Sequence, residues 1–144
     1  MFKREVRVLG LTYRVYSGCS FILGVVFRGR LWLDGVLYRR LESRDGILSE
    51  LISMINESPH RGQIRVVVLD EMLYRILGLI GVEKLYTNFK LPIIAFEEGR
   101  VAATIGVDDI DGFLRVAASD SGVEALRIAS MMANRLIELL TFKS

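Results

Sequence analysis

Asp70 closes a largely apolar run, Ile64-Arg65-Val66-Val67-Val68-Leu69, and a second run, Val6-Arg7-Val8-Leu9-Gly10-Leu11, ends in Thr12-Tyr13. A carboxylate at the end of a buried strand suits metal-assisted cleavage of phosphodiesters. Such chemistry takes acids from separate strands to hold one or two divalent ions, which activate water and stabilise charge on the scissile phosphate. Glu42 and Asp45 are acids that follow a third apolar run, and Thr12, at the end of the first, cannot supply the charge of a carboxylate beside Asp70. Each acid also has a plainer role: Asp45 as a helix cap, Glu42 as an exposed strand-end acid, Asp70 as a structural hydrogen-bond acceptor.

Composition narrows the chemistry further. Cys19 is the sole cysteine and His60 the sole histidine, which excludes an intrachain disulfide, a thiolate cluster and a histidine-based metal site. Any metal must sit on oxygen, which favours magnesium or manganese. Hydrophobic residues make up 51% of 144 positions and mean hydropathy is +0.37. No apolar run nears the roughly 20 residues of a membrane span, and no secretion signal is evident. A cytoplasmic protein is expected, with the apolar excess filling a core or a subunit interface. Scarce glutamine, asparagine and cysteine suit a thermophilic source.

Net charge is only +2, yet residues 1–44 carry nine Lys or Arg against three acids. Arg28, Arg30 and Arg40, with Arg39, are candidates for a phosphate-facing, nucleic-acid-binding surface. Strand alternation puts Arg39 and Arg40 on opposite faces, so at most one of them joins it.

The elements that must position these residues read off the periodicity. Segments 4–11, 20–28 and 31–41 are rich in Val, Ile, Leu, Tyr and Phe and predict three strands, the last two joined at Arg28-Gly29-Arg30. Ile47, Leu48, Leu51, Ile52 and Ile55 predict a helix over 45–57, capped by Asp45. Residues 64–70 predict a central strand buried on both faces. A helix follows around 82–89, a strand at 91–96, a shorter one at 100–105, and helices at 108–117 and 122–141, the first capped by Asp108. Arg127 interrupts the apolar series of the last helix. If buried, it requires a carboxylate or carbonyl partner, as a structural ion pair or as support for the site. Cys19 is expected as a small buried residue, Trp32 as hairpin packing, and His60 as a loop residue. The order fits one α/β domain over 1–144 of the ribonuclease H-like kind, with a mixed central sheet, a three-strand meander and then alternating helices and strands. That order sets the first and fourth strands side by side, so Thr12 and Asp70 should end close together.

Several segments resemble the archaeal endonuclease dU-like family, an uncharacterised group similar to endonuclease V. They are Val6 to Leu11, Gly24-Val25-Val26-Phe27-Arg28-Gly29, Leu33-Asp34-Gly35-Val36, Ile64 to Asp70, Leu85-Tyr86 with Leu91-Pro92-Ile93-Ile94, and Ala125-Leu126-Arg127-Ile128-Ala129. The resemblance implies paired Asp after the first strand, where Thr12-Tyr13 stand. It implies Val-Asp-Gly-x-Asp after the third, where Leu41-Glu42-Ser43-Arg44-Asp45 keep both acids, so the resemblance makes Glu42, Asp45 and Asp70 the oxygen donors of a remnant catalytic and metal site that, with Thr12 in place of a bridging acid, would hold at most one weakly bound magnesium or manganese. It implies Asp-Gly and a glycine-rich loop after the fourth, where Asp70 is followed by Glu71-Met72-Leu73-Tyr74. The expected function is non-catalytic binding of nucleic acid or a protein partner. The alternatives are an active metal-dependent endonuclease on modified or deaminated bases, and a structural subunit. A homo-oligomer built on an apolar loop at 72–80 and the last helix is the structural form of that expectation; no membrane partner is expected.

Overall fold

The computed structural model describes residues 2–143. Three long strands come first: β1 (Arg7–Tyr16), β2 (Cys19–Arg28) and β3 (Trp32–Leu41). A single 3-10 turn (Arg44–Gly46) leads into α1 (Ile47–Glu57), then β4 (Val66–Leu69), α2 (Glu71–Phe89), β5 (Ile93–Glu97) and β6 (Arg100–Ile105). The chain ends with α3 (Ile110–Ala117), a small hairpin of β7 (Ala118–Ser119) and β8 (Gly122–Val123), and α4 (Glu124–Lys143). The main sheet has the order β3-β2-β1-β4-β5-β6. The first three strands form an antiparallel meander, β4 and β5 run parallel to β1, and β6 returns antiparallel.

Two cores lie on opposite faces of this sheet. Leu9, Leu11 and Tyr13 of β1 join Leu51 and Ile55 of α1 and Leu73 and Leu85 of α2. Val8 joins Val25 and Phe27 of β2, Phe113 of α3 and Ala125, Ala129 and Ala133 of α4. The period of two along each strand sorts these side chains, and β4, covered on both faces, is apolar at every position. Among the described residues no helix is long and apolar enough to cross a membrane.

Four local expectations are corrected. The strand expected to stop at Leu11 continues through Thr12 to Tyr16, because Ser17 (φ 47°) and Gly18 (φ 79°) close a tight turn with Tyr16 opposite Cys19. The stretch at 72–80, expected as a loop, is the first half of α2, kinked at Gly78 (φ 67°). Its apolar residues do not form one stripe, since Met72, Leu79 and Ile80 are exposed while Leu73 is buried, so helical periodicity is hidden. Asp45 does not cap α1, whose N-cap is Gly46 with no side-chain bond; Asp45 sits in the preceding turn. The cap of α3 is Asp109, accepting from Gly112 N at 2.9 Å, not Asp108.

Candidate functional site

The site lies where β4 ends beside the middle of β1. Leu11 pairs with Leu69, and Asp70 N donates to the Leu11 carbonyl at 3.1 Å. Thr12 and Asp70 are therefore neighbours, and the Thr12 hydroxyl hydrogen-bonds Asp70 Oδ2. Asp70 also caps α2, its Oδ1 accepting from Leu73 N at 3.0 Å.

The residue that organises the site is Arg14, two positions along β1 from Thr12 and on the same face. Its Nη1 lies 3.0 Å from Asp70 Oδ2, also donates to Thr12 Oγ1, and reaches the Tyr13 carbonyl at 3.0 Å. Its Nη2 donates to Ser130 Oγ at 3.0 Å and its Nε to Asn134 Oδ1 at 3.4 Å, both on α4. Arg14 and Asp70 side chains are 17% and 19% exposed, so the pair is largely shielded from water. Gly10 allows α4 to come this close: a Cβ there would stand 2.6 Å from the Ala125 carbonyl.

The other acids do not join this cluster. Thr12 lies level with Leu23 of β2, and Leu23 with Tyr38 of β3. Glu42 follows four residues further along and two strands across, roughly 16 Å away by strand geometry. The long β1–β2 hairpin carries the end of β3 past the end of β4. Asp45 lies beside Ile76, Ile80 and Lys84, lining a different groove. Among the described residues no three His, Cys, Asp or Glu side chains are grouped to hold a metal ion. A divalent metal, which the resemblance noted in the sequence implies near Asp70, does not fit the residues present: the Arg14 guanidinium already stands on that carboxylate.

Arg127 is half-exposed rather than buried among apolar neighbours. It pairs with Glu124, Nε to Oε1 at 2.8 Å and Nη2 to Oε2 at 2.9 Å. That pair, with a hydrogen bond from Ser119, holds the Glu124 carboxyl below its usual range despite burial. Arg127 also lines a cavity of about 410 Å³ with Asp70, Glu71, Phe96, Ser130 and Asn134.

Arg28, Arg30 and Arg40 do not form one surface. Arg40 pairs with Phe21 and Arg28 with Trp32 at the other end of β3, roughly 25 Å apart along the strands. Arg28 is committed to Asp34 at 2.8 Å and Glu5 at 3.5 Å, and lies over Trp32. Arg39 ties β3 to α1 through Glu50 at 3.0 Å. Arg40 contacts Cys19 Sγ at 3.1 Å, and Cys19 is only partly buried. His60 packs over Gly35, where a Cβ would stand 2.2 Å from its Nε2. Residues not singled out by sequence do gather with Arg28 and Arg30. Gly29 N donates to the Val6 carbonyl at 2.7 Å, which brings the exposed Lys3 and Arg4 to this end of the sheet. Arg7 and Arg65 line an adjacent cavity of about 540 Å³.

A mixed six-stranded sheet flanked by helices, with a strand-end carboxylate at its centre, defines a mixed α/β protein. The family profile described as endonuclease dU matches residues 4–104, and the chain belongs to that family. Curated relatives are archaeal and bear the name UPF0215 protein. That of Methanosarcina acetivorans is 41% identical over 95 residues, covering 64% of this chain and 48% of the relative. That of Methanosarcina mazei is 37% identical over the same length and coverage, and that of Methanopyrus kandleri 33% over 98 residues, 65% of this chain and 49% of the relative. The chain thus spans about half the length of the curated relatives it matches. A crystal structure of a protein of unknown function from Archaeoglobus fulgidus shares the fold, with TM-score 0.71 and 18% identity over 90% of this chain and 97% of that one.

Proposed function

We propose that the chain is a ribonuclease H-like, endonuclease V-related protein that binds nucleic acid without cleaving it. The observation that carries this reading is the Arg14 guanidinium on Asp70. A carboxylate hydrogen-bonded to an arginine, a threonine and a backbone amide has three of its roughly four lone-pair positions engaged and its charge balanced. Arg14 supplies internally the positive charge that a nuclease of this class draws from a divalent ion. It cannot activate water, since a guanidinium remains protonated and has no exchangeable ligand position.

Binding is assigned to the opposite end of the sheet, where Lys3, Arg4, Arg30 and Arg65 surround the first-strand entry. Arg28 serves there mainly through its bonds to Asp34. Contacts of this kind neutralise phosphates without reading bases, so binding should be weak, indifferent to sequence and steeply salt-dependent.

The test combines cleavage and binding. Uracil- and inosine-containing strands with magnesium or manganese should give no turnover above that of Asp70→Ala. Fluorescence anisotropy at low salt should detect association that Arg4→Glu with Arg30→Glu weakens for all sequences alike. Turnover abolished by Asp70→Ala would establish instead an active metal-dependent endonuclease. Absence of any association would favour an assembly subunit, a reading that the exposure of Met72, Leu79 and Ile80 on α2 supports.

A further inference from the structure

We propose that β3 is a self-association edge, pairing antiparallel with β3 of a second copy so that two six-stranded sheets become one. This inference is independent of the reading of Asp70.

The sheet has two open edges, β3 and β6. They differ in kind. β6 is six residues long and its one large exposed apolar side chain is Val101. β3 is ten residues long and exposes Trp32, Leu33, Val36 and Tyr38 at 46%, 41%, 48% and 49%. Soluble proteins normally shorten, charge or cover such an edge, because its free N–H and C=O groups template pairing. Here α4 packs over β1 and β2, and α1 braces β3 from the other face through Arg39–Glu50. Among the described residues β3 has no strand beyond it, and α4 comes near it at Tyr38 and Arg40, with which Leu140 shares a cavity.

The sequence of β3 selects a second copy as the occupant and selects the register. Opposed residues of an antiparallel pair share a face, so a two-fold axis must pass beside a single residue type facing itself. Centring on Arg39 or Arg40 would oppose like charges, which is unfavourable. Centring on Leu37 places Val36 opposite the second copy's Tyr38, twice by symmetry, on the face away from α1 and from the His60 that packs over Gly35. The four exposed side chains supply roughly 350 Å² per copy. With the backbone edges, the two copies would hide on the order of 1,000 Å², at the weak end of specific interfaces. A reversible, micromolar dimer is the form this takes.

Sedimentation velocity across about 1–200 µM protein tests it. The expected result is a monomer–dimer equilibrium that Val36→Lys shifts at least tenfold toward monomer, with an unchanged circular dichroism spectrum. In a Cys19→Ser background, Val36→Cys with Tyr38→Cys should oxidise to a disulfide-linked dimer, because opposed Cα atoms fall within disulfide range. This second arm decides the matter if Val36→Lys does not fold. A monomer throughout the range, a dimer indifferent to Val36→Lys, or no cross-link on oxidation would overturn the proposal.

Discussion

The backbone of Ala125 lies directly over Gly10, and any side chain at position 10 would meet the Ala125 carbonyl at 2.6 Å. This contact sets the depth at which α4 rests on β1, and hence whether Ser130 and Asn134 reach Arg14.

Gly10→Ala should therefore be costly although it adds a single methyl group. The obstructing atoms are backbone, which cannot rotate away, so the loss falls at the upper end of overpacking, about 3 kcal/mol. Chemical denaturation measures it. A loss below about 0.5 kcal/mol would mean that α4 slides freely and does not fix the site.

Asp70 holds Arg14 and caps α2 at once, and two substitutions separate these duties. Asp70→Asn keeps a cap acceptor and loses the charge; Asp70→Ala loses both. Removing a cap costs about 1 kcal/mol, and an arginine left without its partner in a shielded place adds to that in both variants. The expected order of stability is wild type, then Asp70→Asn, then Asp70→Ala, with about 1 kcal/mol between the two variants. Equal melting of the two would show that the cap contributes nothing.

If the guanidinium is the site's cation, adding an acid to the first strand should not by itself create metal binding. Thr12→Asp should leave manganese affinity near that of wild type, because Arg14 still neutralises the carboxylates. Thr12→Asp combined with Arg14→Met should raise it at least tenfold, read by manganese electron paramagnetic resonance titration. Tight binding by Thr12→Asp alone would mean that Arg14 yields to a metal.

Glu124 gives a pH prediction. Arg127, and more weakly Ser119, hold its carboxyl below the ordinary value of 4.5. A carboxylate with a lowered folded pKa stabilises the protein above its unfolded pKa and loses that stabilisation as pH falls through the folded value. The difference in Tm between wild type and Glu124→Gln should be constant from neutral pH to about 5, then shrink on further acidification. A difference that grows on acidification would contradict the assignment.

Much of this architecture was legible in the sequence because burial imposes a period. The alternating runs of the first three strands, the unbroken apolar β4 and the Asp70 that follows it place Thr12 beside Asp70 once the strand order is known. The family of the chain was legible from the same segments. The role of Arg14 was not. It sits beyond the expected end of β1, and its partners Ser130 and Asn134 lie 116 and 120 residues away. The separation of Glu42 from Asp70 was equally hidden. Both acids end apolar runs, but the length of the β1–β2 hairpin, set by the Ser17-Gly18 turn, carries one past the other. Local sequence determines which residues face inward, because burial acts on each side chain separately. Which charges meet depends on strand register and on how closely α4 approaches Gly10, and only the assembled sheet and helix decide those.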